Sequence, residues 1–267
     1  MDNRENMIVV RNVQKSYGAR RVLDGVSFAA ERKKITHIFG TSGGGKSTLL
    51  KIMIGALRPD NGEVRYGDTD ITGLYGGELD PIRKKIGMLF QHGALINSLT
   101  VGENIALPIR EHTALDDNII KIMVKMKLEL VGLRDFEDLH PVQLSGGMRK
   151  RVALARALAL DPEVVFFDEP TSGLDPIVAA VITKLIADLN RLLGITCIVV
   201  THAVEEAMRT ADKIVMLYMG KVLAEGTPEE IRNSTDPMVQ QFITGSPDGP
   251  ISFRASSKDY REDLLIG

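Results

Sequence analysis

Gly40-Thr41-Ser42-Gly43-Gly44-Gly45-Lys46-Ser47 is the stretch of sequence that decides the fold. It follows the apolar run Ile35 to Phe39, which predicts a buried strand, and it precedes a helix predicted over residues 46–56, which Gly55 and then Pro59 end. Glycines let such a loop curl, and the helix N-terminus behind it presents free N–H groups and a partial positive charge. Strand, glycine loop and helix together predict a phosphate-binding site.

The residues of this loop have distinct expected roles toward a nucleotide and Mg²⁺. Lys46 would bring a full positive charge to the terminal phosphates, and the Ser47 hydroxyl can ligate Mg²⁺. On its own the pattern would also suit a chance turn or any nucleotide-binding protein with such a loop; the predicted strand and helix around it favour nucleotide binding. The nucleotide-binding residues predicted here are Gly40, Thr41, Ser42, Gly43, Gly44, Gly45, Lys46, Ser47 and Thr48.

Asp168 and Glu169 directly follow Val164 to Phe167, a short apolar run that predicts a buried strand. The carboxyl ends of strands in a doubly wound sheet are where ligand chemistry is placed. Asp168 would hold Mg²⁺, directly or through water, and Glu169 would orient or deprotonate an attacking water. An acidic pair after a strand is often only a solvated loop, but the glycine loop in the same chain favours the catalytic interpretation.

Gln91 follows another predicted strand, Ile86 to Phe90. A neutral amide can bind Mg²⁺ or water without adding charge, so we predict Gln91 as a metal-binding and catalytic residue. An ordinary surface glutamine is the alternative.

Leu144-Ser145-Gly146-Gly147-Met148 predicts a second anion-binding helix N-terminus, with Ser145 as the N-cap. The chain thus has two anion-binding helix N-termini, but it has only one lysine-serine loop and one acidic pair. Two copies arranged head to tail would resolve the mismatch, each Ser145-Gly146-Gly147 segment capping the phosphates held by the other copy. The basic residues 149–151 that follow predict a solvated helix face or, alternatively, an electropositive surface.

Strands alternating with helices predict an α/β fold with a mainly parallel core sheet. The first third predicts an N-terminal antiparallel β-subdomain, with strands at residues 8–13, 22–23 and 26–29, and the lysine-rich segment with recurring apolar residues predicts an inserted helical subdomain at about 95–160 whose core includes Met123 and Met126. Further along, the sequence predicts a helix from Pro176 to Leu193, a strand from 196 to 200, and a hairpin turning at Met219-Gly220. Residues 1–245 are then one nucleotide-binding domain.

Residues 246–267 form a C-terminal extension. Its apolar residues stand among charges, which suits either a partly disordered terminus or an arm that docks on a neighbouring subunit. These candidate anchors are Phe253, Tyr260, Leu264 and Leu265.

The composition excludes several classes of protein. With 33 basic and 35 acidic residues the formal charge is −2, so the overall charge of the chain gives no electrostatic case for nucleic-acid binding. The single cysteine, Cys197, lies in an apolar run and predicts a buried residue in a reducing compartment. No run reaches the roughly 18 apolar residues that span a bilayer, so any membrane role would come through a partner.

The order of these motifs resembles the ATP-binding cassettes of ABC transporters, from Val10 to about Ile243. The resemblance implies two nucleotides sandwiched between two cassettes. It also implies that Tyr17 stacks on adenine, that His202 contacts the γ-phosphate and that Asp175 lies in a loop linking the two sites. The family's usual signature has Gln in the fifth position, where this chain has Met148, which puts one polar contact in doubt.

The segments 88–95, 108–112 and 248–254 resemble the ATPases of Mla phospholipid-transport systems. That resemblance implies a permease, an MCE-domain lipid-binding protein and a small accessory subunit as partners, at the cytoplasmic face of a bacterial inner membrane. It also implies that a groove near Gln91 to Val101 receives a permease helix. The alternatives are an importer of small solutes such as amino acids, a DNA-repair or translation protein, and a regulatory cassette without activity; Lys46, Asp168, Glu169 and His202 argue against the last.

Overall fold

The computed structural model describes residues 5–41 and 43–251. The strands are β1 (Asn6–Tyr17), β2 (Arg20–Glu31), β3 (Ile35–Gly40), β4 (Asn61–Tyr66), β5 (Thr69–Asp70), β6 (Ile86–Leu89), β7 (Val164–Asp168), β8 (Thr196–Thr201), β9 (Lys213–Tyr218) and β10 (Lys221–Gly226). The helices are α1 (Lys46–Met53), α2 (Asp80–Arg83), α3 (Val101–His112), α4 (Asp117–Leu130), α5 (Gly146–Ala157), α6 (Pro176–Leu193), α7 (Val204–Thr210), α8 (Pro228–Arg232) and α9 (Pro237–Thr244). Ser42 and the predicted tail anchors lie outside the described residues. None of the helices in the described ranges is long and apolar enough to cross a membrane.

The central sheet has the strand order β10-β9-β3-β8-β7-β6 and is parallel from β9 to β6, with β10 antiparallel at the edge. Alternate residues of β7 pack on opposite faces of the central sheet. Val165 and Phe167 pack into the cluster formed with α3 to α6, whereas Val164 and Phe166 pack against α1 and the N-terminal strands. Burial on both faces explains the continuous apolar run of this strand. The α/β fold with a mainly parallel core sheet is confirmed.

The N-terminal sheet has the order β2-β1-β4-β5, and its pairings are antiparallel. The prediction of two short strands at 22–23 and 26–29 is wrong, because both belong to the single strand β2. Gly25 has a φ of 81° and faces Asn12, whose φ is 46°, where the register with β1 shifts. The interruption in the apolar pattern is therefore a β-bulge inside a continuous strand.

Helices α3, α4 and α5 pack together around buried aliphatic residues such as Ile105 and Leu128. Met123 is partly buried against this cluster, as predicted. Met126 is 62% exposed, so its predicted core position is wrong. It lies two residues from buried Val124, on the opposite side of α4. The subdomain boundary at 95–160 stays a prediction.

The carboxyl-terminal elements follow the predicted hairpin of β9 and β10, which turns at Met219-Gly220. After α9, the side-chain amide of Gln241 pairs with the backbone of Ile251. The Ile251 N–H donates to Gln241 Oε1 at 2.7 Å, and Gln241 Nε2 donates to Ile251 O at 3.1 Å. The first residues of the predicted extension are thus held against α9.

Candidate functional site

A cleft of about 470 Å³ opens at the N-terminus of α1, within the size range of small-molecule sites. The structure brings Tyr17 to this cleft from the end of β1, with 51% of the residue exposed. One face of an aromatic ring is therefore available beside the glycine loop. The lining residues are Tyr17, Arg20, Val22, Gly43, Gly45, Lys46, Ser47 and Thr48.

Two glycines of the loop are fixed by close contacts. Gly45 caps α1 with a φ of 98°, and a Cβ there would lie 2.6 Å from Leu23 Cδ2. A Cβ on Gly40 would lie 2.0 Å from the carbonyl oxygen of Leu217 in β9. A side chain at either position would displace the loop from the strands behind it, so the loop's path requires glycine.

Lys46 lies across the loop at the start of α1. Its Nζ donates to the carbonyls of Gly40 at 2.9 Å and Thr41 at 3.1 Å. Burial lowers the pKa of this ammonium, while the charges of Glu169 and Asp168 act to raise it. A partly buried cation, a glycine-rich loop and a helix N-terminus together fit a phosphate group.

Asp168 ends β7 and Glu169 follows it. Burial, and secondarily the charge of Glu169, raises the pKa of Asp168, while Lys150 and Lys46 act in the opposite direction. Glu169 has a left-handed φ of 48°, and its N–H donates to Val200 O at 2.9 Å. The pair is thus a negative centre facing the cation of the loop.

The structure brings His202 to Glu169. Nδ1 of His202 lies 2.7 Å from Glu169 Oε2, with 67% of the histidine side chain exposed and 14% of the glutamate side chain. That oxygen accepts no hydrogen bond of regular geometry from the described residues. An imidazole and a shielded carboxylate in contact can hold or orient a water molecule between them and a bound phosphate.

Gln91 lies just beyond β6 and points to the loop after Glu169. Its Nε2 donates to Ser172 Oγ at 3.5 Å, the long end of the hydrogen-bond range. Sequence reasoning did not include Ser172 among the site residues. The sequence feature that could have identified Ser172 is its position directly before Gly173-Leu174-Asp175.

Ser145 and Asp175 cap two neighbouring helices. Ser145 Oγ accepts from Met148 N at 3.2 Å, and Asp175 Oδ1 accepts from Ile177 N and Val178 N at 3.1 and 3.0 Å. A Cβ on Gly147 would lie 2.4 Å from Val178 Cγ1, so the two helix ends are in close contact. Among the described residues no hydrogen bond joins these caps to the glycine loop. The structure therefore does not bring Ser145, Gly146, Gly147 and Asp175 into the cleft of their own chain.

The solvated-face interpretation of residues 149–151 is wrong for Lys150, which is 6% exposed. Lys150 lies three residues after buried Gly147 and four before buried Leu154, which places it on the inner face of α5. Its Nζ donates to the carbonyls of Gln91 and Glu169. Arg149 is exposed as predicted. Met148 is partly buried against the core around α3 to α5.

Three side chains of the site can serve as donors to a metal ion. In the described ranges no three His, Cys, Asp or Glu side chains are grouped so as to hold one. The available donors are the hydroxyl of Ser47, the amide of Gln91 and the carboxylate of Asp168. Such a set fits Mg²⁺ when phosphate oxygens and waters supply the remaining ligands.

Comparison with known proteins decides the family. The sequence model described as "ABC transporter" matches residues 23–172, from β2 through the glycine loop to Ser172. The chain belongs to the ABC transporter family.

Two curated relatives of this ABC cassette are named intermembrane phospholipid transport system ATP-binding protein MlaF. The protein from Haemophilus influenzae is 47% identical over 98% of this chain and 99% of its own length. The protein from Escherichia coli K12 is 44% identical over 98% of this chain and 97% of its own length. The cassette is similar to both along nearly the whole chain, beyond the part that the family model matches.

The fold also matches solved cassettes. A dimeric ATP-binding cassette in a post-hydrolysis state, bound to ADP and phosphate, superposes with a TM-score of 0.77 at 34% identity, covering 83% of this chain and 99% of that one. Membership of this family implies ATP binding and ATPase activity. Cassettes of the family dimerise and work with a membrane permease.

Proposed function

We propose that this ABC cassette is the ATP-hydrolysing subunit of a bacterial transporter that moves phospholipid between the inner and outer membranes. The observation that carries the proposal is identity of 44–47% over 98% of the chain to proteins named for intermembrane phospholipid transport. Its partners would be a permease, an MCE-domain lipid-binding protein and a small accessory subunit. The cassette would lie on the cytoplasmic face of the inner membrane, attached through the permease.

ATP would bind in the cleft at the N-terminus of α1. Tyr17 would stack on the adenine, a contact worth about 1–3 kcal/mol. The backbone of residues 40–45 would surround the phosphates, and Lys46 would exchange its contacts with the Gly40 and Thr41 carbonyls for phosphate oxygens. Thr48 would complete the wall of the cleft.

Ser47, Gln91 and Asp168 would hold Mg²⁺ together with the phosphates. The ion would supply Lewis-acid stabilisation of the charge on the phosphoryl oxygens. The partly buried carboxylate of Asp168 gains from such a cation, because burial disfavours its charge.

Glu169 would orient the attacking water and accept its proton at the carboxylate. His202, 2.7 Å from Glu169 Oε2, would hold that carboxylate in place and contact the γ-phosphate. Gln91 would complete the water's surroundings from the neighbouring loop.

A second copy, arranged head to tail, would supply the remaining donors. The N-terminus of α5, where Ser145 and Gly146 are exposed and Gly147 is buried, offers free N–H groups and the positive end of a helix dipole. Asp175 would lie between the two composite sites, next to this helix end. Dimer closure would thereby depend on ATP bound in both copies.

A cleft of about 390 Å³ between β6, α3 and α5 is the proposed contact with the permease. Phe90, which lines it, directly precedes the predicted stretch Gln91 to Val101, and no residue of that stretch is part of the lining. Apolar residues of both sides line it, among them Met88, Phe90 and Leu107. A short amphipathic helix of a permease would fit such a groove and would touch β6, the strand that precedes Gln91.

Purification from native membranes tests the cargo. The tagged chain would be extracted in mild detergent, and its co-purifying proteins and lipids identified by mass spectrometry. A permease with an MCE-domain protein and bound phospholipid is the expected result, followed by ATP-dependent transfer of fluorescent phospholipid that Glu169→Gln abolishes. A solute permease, with uptake of an amino acid or another small solute, would contradict the phospholipid proposal.

A further inference from the structure

Lys150 is a buried cation that the proposed chemistry does not use. It lies in the middle of α5 with 6% of its surface exposed; burial lowers the pKa of its ammonium, while the charges of Asp168 and Glu169 act to raise it. The Nζ donates to Gln91 O and, at 3.3 Å, to Glu169 O. These two carbonyls belong to different loops, one after β6 and one after β7. A single side chain therefore joins the two loops that carry the proposed metal ligand and the proposed base.

The backbone of Glu169 is held in an unusual conformation at this contact. Its φ of 48° is one that a residue with a side chain adopts only when its surroundings hold it there. The Glu169 N–H donates to Val200 O at 2.9 Å, and the Glu169 carbonyl accepts from Ser172 N at 3.2 Å as well as from Lys150. Lys150 supplies the side-chain contact among these three. The orientation of this peptide sets the direction in which the carboxylate leaves the backbone.

The same helix holds the loop after β6 at a second point. Arg156, six residues further along α5, donates to Gly93 O at 2.9 Å and to Ala94 O at 2.7 Å. Ala94 has a φ of 50°, so this loop too is held in a left-handed turn. Lys150 binds this loop at Gln91, and Arg156 binds it at Gly93 and Ala94. The loop after β6 is therefore attached to α5 at two points. Any displacement of α5 would move Gln91 with it.

We propose that Lys150 is a positioning residue that fixes Glu169 and Gln91 relative to each other for ATP hydrolysis. It acts through the two backbone carbonyls and leaves the nucleotide untouched. The inference rests on the proposed hydrolysis of ATP at this site and deepens it, because it links α5, the helix that begins at Ser145, to the base. Closure of the dimer on Ser145 would then be transmitted along α5 to Glu169.

The test compares variants of the full chain in a steady-state ATPase assay with MgATP, together with the affinity for a trinitrophenyl-ATP probe. Lys150→Met should lower kcat by about 10- to 100-fold, the effect of losing a charge-assisted hydrogen bond, with probe affinity changed by no more than about twofold. Lys150→Arg should restore most of the rate, because it keeps the charge and the donors. Lys150→Gln, whose amide is one bond shorter, should fall between the two.

Arg151→Gln is the matched control on the same helix. Arg151 donates to Val131 O at 3.2 Å and Gly132 O at 3.1 Å, away from both loops. Its loss should change kcat by no more than about twofold. In a Glu169→Gln background, Lys150→Met should have much less effect than in the wild type, because it acts through Glu169.

An unchanged kcat in Lys150→Met would overturn the proposal, as would an equal loss in Arg151→Gln or a parallel loss of probe affinity. If Lys150→Met does not fold, Lys150→Gln against Lys150→Arg gives the same comparison, and equal rates would overturn it. Failure of the proposed function would give a different result from failure of the Lys150 proposal. In that case Glu169→Gln would hydrolyse ATP as fast as the wild type.

Discussion

The N-termini of α1 and α5 both follow glycine-rich or serine-capped turns, yet they are built differently. The α1 terminus is capped by left-handed Gly45, begins with Lys46 and opens into a cleft of its own chain beside Tyr17. The α5 terminus is capped by the Ser145 hydroxyl, begins with Gly146, and is exposed. One terminus carries a cation, a hydroxyl and an aromatic ring; the other offers backbone donors and a serine.

This difference supports the proposal that each terminus is one part of a site. Backbone donors at the end of α5 can bind an anion, but the cation of Lys46 and the hydroxyl of Ser47 lie at the other terminus. The described residues contain no hydrogen bond that joins Ser145 to the glycine loop of its own chain. We propose that a complete site combines the α1 terminus of one copy with the α5 terminus of another.

The largest effect is expected at the base. Glu169→Gln should leave ATP binding intact and slow hydrolysis by about 10²- to 10⁴-fold, the usual contribution of a positioned general base. Dimers locked by ATP should accumulate, as size-exclusion chromatography with ATP would show. The matched control is Glu163→Gln, an exposed residue just before β7 that pairs with Lys85 and should leave the rate unchanged. Rapid hydrolysis by Glu169→Gln would mean that the base is elsewhere.

A smaller effect is expected at the cation of the α1 terminus. Lys46→Ala should weaken ATP binding by about 10- to 100-fold, because charge-assisted contacts to the phosphates are lost. Isothermal titration with ATP measures this directly. Lys51→Ala, exposed in the last turn of α1, is the control and should bind ATP normally. Equal affinities for the two variants would remove Lys46 from the site.

Substitutions at the α5 terminus should change the rate of ATP hydrolysis but not the affinity of a single copy for ATP. Ser145→Asp and Ser145→Asn both keep an N-cap, but the aspartate adds a negative charge where a phosphate would approach. We expect Ser145→Asp to lower the ATPase rate by about tenfold or more through repulsion, with Ser145→Asn much closer to the wild type. ATP affinity of the dilute, monomeric chain should be unchanged in both. Weaker binding by the monomeric aspartate variant would place Ser145 in its own chain's cleft.

The smallest effect is expected at His37, in β3 and away from both termini. Burial lowers the pKa of His37 from 6.5 to about 4, so the unfolded chain binds the extra proton between these values. Stability should be constant above pH 6.5 and fall as the pH decreases toward 4, by about 1.4 kcal/mol at pH 5.5. Thermal unfolding of His37→Gln should depend less on pH than that of the wild type, with exposed His112→Gln as the control. An unchanged pH dependence would contradict the assigned burial.

Most of the fold was predictable because its signals are local. The helix Pro176–Leu193 has its proline at the start, a left-handed glycine after its end and one apolar face, and its observed bounds equal the predicted ones. The break in β2 at Gly25 was misread because a bulge and a turn share the same residue types. The burial of Lys150 was missed because a basic triplet favours a solvent-exposed face, although the spacing from Gly147 to Leu154 places it inside.

The candidate site was predictable in its parts and not in its assembly. The sequence places Lys46, Asp168 and His202 at the ends of parallel strands, which meet at one edge of the sheet, and the structure groups them there. Ser172 and Lys150 entered only through tertiary contacts. In the proposed composite site, Ser145 contacts a phosphate that a second copy of the chain holds. The sequence of one chain cannot give that contact, so the composite site stays a prediction.

Mixed dimers test the composite site most directly. Two tagged forms of the chain would be isolated as ATPase-competent mixed dimers, first with Lys46→Ala on one copy and Ser145→Asp on the other. If each site joins the α1 terminus of one copy to the α5 terminus of the other, one intact site remains, with about half of the wild-type rate when the sites act independently. Placing both substitutions on one copy beside a wild-type copy should damage both sites and leave little activity. If the dimer with both substitutions on one copy is instead the more active of the two, each chain completes its own site, and the account is contradicted.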